Sequence, residues 1–288
     1  MTTTSGTVKS YDGTQIHYET IGEGLPLIFC YGVVCSTLQW KYQTQHLKKH
    51  YQVIHVDYRG HNQSQSPKNP SHLTIEGCAK DIEAVMNKLK LEHAILLGHS
   101  MGVNVIFQFY DLYPKKVSGL IAICGTIHNP FKTMFHTEFS QAGFEFLKLM
   151  YLKFPRQFPE LWKKSIAHPF SQLLTHTIGF NYQLTQKKDI KNYLEGVSKQ
   201  PIETFFYFLQ EMNDFKGDHI LKKIAVPTLI IGGGKDLITP IQNQYALYRK
   251  IKNAQFLKVP QGSHCAHMDM PELVNLRIEK FLKDINYA

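Results

Sequence analysis

Residues 94–113 read Ala-Ile-Leu-Leu-Gly-His-Ser-Met-Gly-Val-Asn-Val-Ile-Phe-Gln-Phe-Tyr-Asp-Leu-Tyr, with Gly98-His99-Ser100-Met101-Gly102 at the turn. The four apolar residues ahead of the turn suit a buried strand. The run Val103 to Tyr110 suits a helix that stops near Tyr113-Pro114, where proline blocks continuation. Passing from strand to helix over so few residues holds the residue at the apex in a strained conformation. Glycines at 98 and 102 remove side chains that would collide there. The Ser100 hydroxyl is therefore expected to project from the C-terminal edge of a sheet, with the positive end of a helix beneath it. In this setting the G-x-S-x-G pattern reads as a nucleophile elbow.

Working outward, short apolar runs recur on both sides: Pro26–Phe29, Gln52–Asp57, Gly119–Ile123, Pro227–Ile231 and Gln255–Val259. Four to six such residues without alternation fit strands covered on both faces, as in a parallel sheet. A hairpin is expected at the start, with Thr7–Tyr11 and Gln15–Tyr18 around Asp12-Gly13. Helical spacing follows Thr74 (Ile75, Cys78, Ala79, Ile82, Met86, Leu89) and Pro271 (Val274, Ile278, Phe281, Leu282). The alternation predicts an α/β fold, a mostly parallel central β-sheet flanked by helices. From Ile127 to Gly217 no strand pattern appears. That segment holds thirteen of the 18 phenylalanines, against about six for an even spread, with helical spacing through Phe135, Phe139, Ala142, Phe146 and Met150. Residues 127–217 are expected to form a helical lid over a core built from residues 1–126 and 218–288.

A serine at neutral pH needs a base, and the base needs an orienting acid. Asp236 follows the predicted strand Leu229–Ile231 and its Gly232-Gly233-Gly234 exit, and His264 follows the last predicted strand. Both should reach the same sheet edge as Ser100, in the order Ser, Asp, His. A loop aspartate can equally be a turn former. His267, three residues on, is the rival base.

Composition narrows the rest. Hydrophobic residues make up 43% and charged residues 19% of the 288, enough for a sizeable core and incompatible with a disordered chain. The formal charge of +9 is spread in ones and twos (Lys48-Lys49, Lys115-Lys116, Lys163-Lys164), so solvated surface charge is expected and no nucleic-acid binding. Five cysteines, without metal-ligand spacing, read as free thiols, and no metal or other cofactor is expected. The start of the chain lacks a basic and apolar leader and no apolar run reaches ~18 residues, so a cytoplasmic chain with no membrane span is expected.

The chain resembles the α/β-hydrolase fold superfamily, and within it the lid-bearing group of small esterases, enol-lactonases, haloperoxidase-like enzymes and C–C bond hydrolases. The resemblance runs from about residue 7 to 284 and is weakest over the insertion. Besides the elbow it rests on Asp57-Tyr58-Arg59-Gly60-His61-Asn62-Gln63-Ser64, similar to the family's D-x-R-G-x-G-x-S loop with Asn62 for the second glycine. It rests also on His264 with Asp269 and Pro271-Glu272, similar to the closing G-H-x4-E-x-P-E, with Ser263 and Asp269 substituted; this register favours His264 over His267. The resemblance implies an oxyanion hole from the Val33 and Met101 backbone N–H groups. Tyr31 stands where the family usually has histidine, either donating to substrate or packing beneath its loop. Phe135, Phe139, Phe205 and Phe206 are expected to line an apolar substrate pocket, and Cys35 and Cys265 to be small packing residues. The implied activity is hydrolysis of a carboxylic ester, lactone or thioester with a hydrophobic acyl group, by Ser100, Asp236 and His264 through an acyl-enzyme. Alternatives are other chemistry on the same three residues, or ligand binding without turnover. A small hydrophobic substrate is the expected partner, and a monomer or homodimer the expected state.

Overall fold

Each central strand is buried along almost its whole length, so both faces of the sheet must be covered, and helices cover them. The structure is a computed structural model that describes residues 3–168, 173 and 177–287. Its eight-stranded sheet contains β1 (Thr3–Lys9), β2 (Gln15–Ile21), β3 (Leu25–Cys30), β4 (Tyr51–Val56), β5 (Ala94–His99), β6 (Val117–Ile123), β7 (Thr228–Gly233) and β8 (Ala254–Val259), in the order β1-β2-β4-β3-β5-β6-β7-β8. The β1–β2 and β2–β4 pairs are antiparallel and every later pair is parallel. The hairpin turns at Gly13, whose φ of 84° suits only glycine comfortably, and the Asp12 carboxylate accepts the Thr14 N–H at 3.1 Å.

Among the described residues the longer helices are α1 (Lys41–Leu47), α2 (Ile75–Lys88), α3 (Met101–Leu112), α4 (Phe139–Lys153), α5 (Gln157–Ala167), α6 (Lys187–Ser198), α7 (Ile202–Asp214), α8 (Ile241–Lys250) and α9 (Pro271–Asp284). Thr74 caps α2 by accepting the Gly77 N–H, and α9 begins on its N1 proline. Helix α2 packs on α3, and α1 on α9. The apolar stripe of α2 (Ile75, Cys78, Ala79, Ile82, Val85, Met86) is buried in the main core. Helices α4 to α7 lie between β6 and β7, with no strand among the described residues there; residues 169–172 and 174–176 of that segment lie outside the description.

One buried polar knot ties the N-terminal hairpin to the body. Arg59 is fully buried, and it donates to both Asp81 carboxylate oxygens (2.8 and 2.7 Å) and to Asp12 Oδ2 (3.0 Å). Arg59→Met would leave the fully buried Asp81 carboxylate without its ion-pair partner, while Asp12 keeps Thr14 and His72. It is expected to lower unfolding free energy by about 3–5 kcal/mol. Urea unfolding checks this, and an Arg59→Met/Asp81→Leu pair losing less than the single variant would confirm that bare charge is the cause.

Candidate active site

Parallel pairing brings four loops to one end of the sheet. Cys30 pairs with Gly98, which sets Tyr31-Gly32 beside His99-Ser100, and Gly233 pairs with Val259, which sends the two following loops out together. The glycines make those approaches possible. A Cβ on Gly102 would stand 2.1 Å from the Cys30 carbonyl oxygen, and one on Gly98 2.4 Å from the Gly102 carbonyl oxygen. Gly233 would meet the Ser263 carbonyl at 2.2 Å and Gly234 that of Pro260 at 2.5 Å. Ser100 has φ 55° and ψ −121°, a sparsely populated conformation for a residue with a side chain.

Ser100 Oγ lies 3.0 Å from His264 Nε2, and His264 Nδ1 lies 3.0 and 3.2 Å from the two Asp236 oxygens. All three are buried. Asp236 is itself held from behind: its Oδ1 accepts the Ile238 and Thr239 N–H groups, each at 2.9 Å, and the Thr239 hydroxyl lies 2.9 Å from its Oδ2. A carboxylate with that many donors stays oriented, and a carboxylate at Nδ1 fixes the imidazole with its proton on that nitrogen. His267 sits elsewhere, fully buried between the Trp40 ring (4.7 Å) and the His99 ring (4.5 Å). Burial holds its pKa down to about 3.

Met101 opens α3, so its N–H is one of those a helix leaves without an internal acceptor. Across from it, a Cβ on Gly32 would meet the Ser100 Cβ at 3.2 Å, so the chain at 32–33 runs close against the serine. The following N–H groups are engaged, Val34 to His61 Nε2 and Cys35 to the Gly32 carbonyl.

Ser100 and His264 open into a cavity of about 570 Å³. Its floor adds Val33, Cys35 and His99, and its roof comes from the insertion, including Phe135, Phe139, Phe144, Tyr193 and Phe205. Of the four phenylalanines expected on its walls one needs correction, and Tyr31, with two places open to it, takes the one beneath its loop. Tyr31 is not in it: fully buried, its hydroxyl accepts the Tyr58 N–H (2.9 Å) and an Asn62 Nδ2 proton (3.2 Å) and donates to Asp57 Oδ1 (3.4 Å). The buried Asp57 carboxylate needs donors, and Tyr31 supplies one from beneath the loop. Phe206 is not in it either. It packs inside the insertion with Phe131, Phe144 and Ile202, while Phe205, about 100° round the same helix, faces the cavity.

Other members were not singled out from sequence. Thr239 stands three residues after Asp236, a short-range spacing that suggests a side-chain-to-backbone turn. His99 Nε2–H donates to the His264 carbonyl at 2.9 Å, a contact no local pattern announces. Tyr193, Leu209 and Met212 come from the insertion, where helical spacing does not say which side faces down. Cys35 lines the cavity beside the Tyr193 hydroxyl (3.3 Å), and burial pushes its thiol up to about 12, so it stays protonated at neutral pH.

The model of the alpha/beta hydrolase fold family matches residues 26–271. The chain belongs to that family. Among curated relatives of this hydrolase, epoxide hydrolase 1 of Caenorhabditis elegans is 28% identical over 283 residues, covering 93% of this chain and 68% of the relative. A putative non-heme chloroperoxidase of Synechocystis sp. is 26% identical, covering 93% of this chain and 95% of that one. Among solved structures, a thermophilic esterase from Thermogutta terrifontis superposes with a TM-score of 0.78 over 98% of this chain and 99% of its own, at 23% identity. Among the described residues of this hydrolase no helix is long and apolar enough to cross a membrane, and no cluster of metal-ligating side chains occurs.

Proposed function

We propose that this hydrolase cleaves a carboxylic ester, lactone or thioester with a hydrophobic acyl group through an acyl-enzyme on Ser100. The observation that carries this reading is the unbroken chain of contacts from Ser100 Oγ through His264 to Asp236 at the floor of an apolar cavity. His264 takes the Ser100 proton as Oγ attacks the carbonyl carbon, and Asp236 stabilises the imidazolium that forms. The Val33 and Met101 N–H groups face the developing oxyanion, a contribution of roughly 3–4 kcal/mol per donor in related chemistry. His264 then protonates the leaving group, and water repeats the attack on the acyl-enzyme. A burst of p-nitrophenol from a p-nitrophenyl ester, together with labelling of Ser100 by a phosphonate, tests this. Labelling elsewhere, or none, defeats it.

The curated names raise a second reading, epoxide opening. The identity of the nucleophile weighs against it. A carboxylate that opens an epoxide yields an ester, which water can cleave. Serine would yield an ether, which has no carbonyl for water to attack, and turnover would end there.

Residues 127–217 act in this reading as the lid that sets acyl preference, through Phe135, Phe139 and Phe205. A cavity of this size with aromatic walls favours small-to-medium hydrophobic acyl groups. Across a series of p-nitrophenyl esters, kcat/KM is expected to rise from acetate to a medium chain and then fall. Phe205→Ala should move the optimum to longer chains. A profile that is flat, or confined to acetate, counts against the lid as the selector.

A further inference from the structure

Helix α4 is apolar on nearly every side, a pattern that belongs to a helix with neighbours all round. Yet among its residues only Phe144 is buried. Phe139 (85% exposed), Phe146 (61%), Leu149 (59%) and Leu152 (64%) stand in the open. At 100° per residue these four fall within an arc of about 140°, so they form one stripe, which Glu145 and Lys153 interrupt with one charge of each sign. An apolar stripe of this kind marks a surface that something covers. Phe139 is also a cavity residue, so the stripe runs continuously into the mouth of the pocket.

Charge selects what covers it. Across α4, α5 and the link between them stand Lys153, Arg156, Lys163 and Lys164 against Glu145 and Glu160, four cations to two anions, with Lys148 bonded instead to Gln210 of α7 (2.7 Å), in a chain of formal charge +9. A second copy of the chain docking by this face would bring the same cations together across a twofold axis. An anionic lipid surface attracts them while its acyl region takes the stripe. We infer that the outer face of α4 docks on an anionic lipid surface, so that the cavity mouth at Phe139 opens toward the acyl chains. The inference concerns binding, and its test is read apart from hydrolysis.

The full chain is sedimented with vesicles of phosphatidylcholine carrying phosphatidylglycerol, and with phosphatidylcholine alone. Binding is expected to the first, to weaken with added salt, and to be small to the second. Leu149→Ser/Leu152→Ser, both outside the cavity wall, should weaken vesicle binding by ~10-fold or more while cleavage of a water-soluble ester stays at the parent level. Lys163→Glu/Lys164→Glu should weaken it at low salt and flatten the salt dependence. The inference is overturned if the parent chain stays in the supernatant with anionic vesicles, or if the leucine pair leaves partitioning unchanged. It is equally overturned if the parent is a dimer that the leucine pair dissociates and neither binds vesicles.

Discussion

Ser100→Ala is expected to lower kcat/KM for a p-nitrophenyl ester by on the order of 10⁴-fold or more while the chain folds as before. Among the described residues the hydroxyl's one hydrogen bond is to His264, so its loss disturbs no other polar contact there. What remains is substrate binding and the two backbone donors proposed for the oxyanion, which together leave some rate above that of water alone. The Cys35 thiol on the cavity wall is held protonated by burial and is bonded toward Tyr193, so it does not substitute. Steady-state kinetics with a thermal melt on the same sample separate lost chemistry from lost fold. Turnover within tenfold of the parent at an unchanged melting temperature would remove Ser100 from the reaction.

The second large effect concerns acid. Four histidines, His55, His61, His99 and His267, are buried, and burial is the leading cause that holds each below the ordinary 6.5, the first two at about 4. In the unfolded chain all four take a proton near pH 6.5; in the folded chain His55, His61 and His267 stay neutral at pH 5, and burial holds His99 well below its ordinary value. Below 6.5 the unfolded state therefore binds more protons, and stability falls as pH falls. The contribution is fully present above about pH 6.5 and is lost on the way down to about pH 4. The three rings held at about 4, 4 and 3 each contribute on the order of 2 kcal/mol between pH 7 and pH 5, and His99 acts in the same direction, while the raised carboxyls of buried Asp57 and Asp81 act against them. Melting temperatures are expected to fall at each step from pH 7 to 6 to 5. A melting temperature that holds across this range would mean the four rings are not kept neutral by the fold.

The parts of this molecule readable from sequence are those in which a local constraint leaves one residue type. Gly98 and Gly102 are forced by carbonyl oxygens within 2.4 Å of where a Cβ would be, so the turn at Ser100 announces itself. The buried strands β3 and β5 announce themselves by continuous apolar runs. Asn62, with φ 47°, takes a left-handed position that its residue type tolerates. The limits are equally physical. Whether Tyr31 points to substrate or to Asp57 depends on where the loop 57–62 is folded, a matter of long-range contacts. Phe205 and Phe206 are both aromatic on one helix, and only the placing of that helix decides which one meets the cavity. Phe146 has the spacing of a packed residue and faces outward, because helical period reports a face and not what lies opposite it.

The conformation of Ser100 carries a consequence for anyone who evolves this chain in the laboratory. A side chain at φ 55°, ψ −121° is uncomfortable, whereas glycine rests there without strain. A screen that rewards heat tolerance and ignores turnover will drift toward glycine at that position. Robust but inert clones would then dominate the pool, and only a paired activity filter would keep the hydroxyl in place.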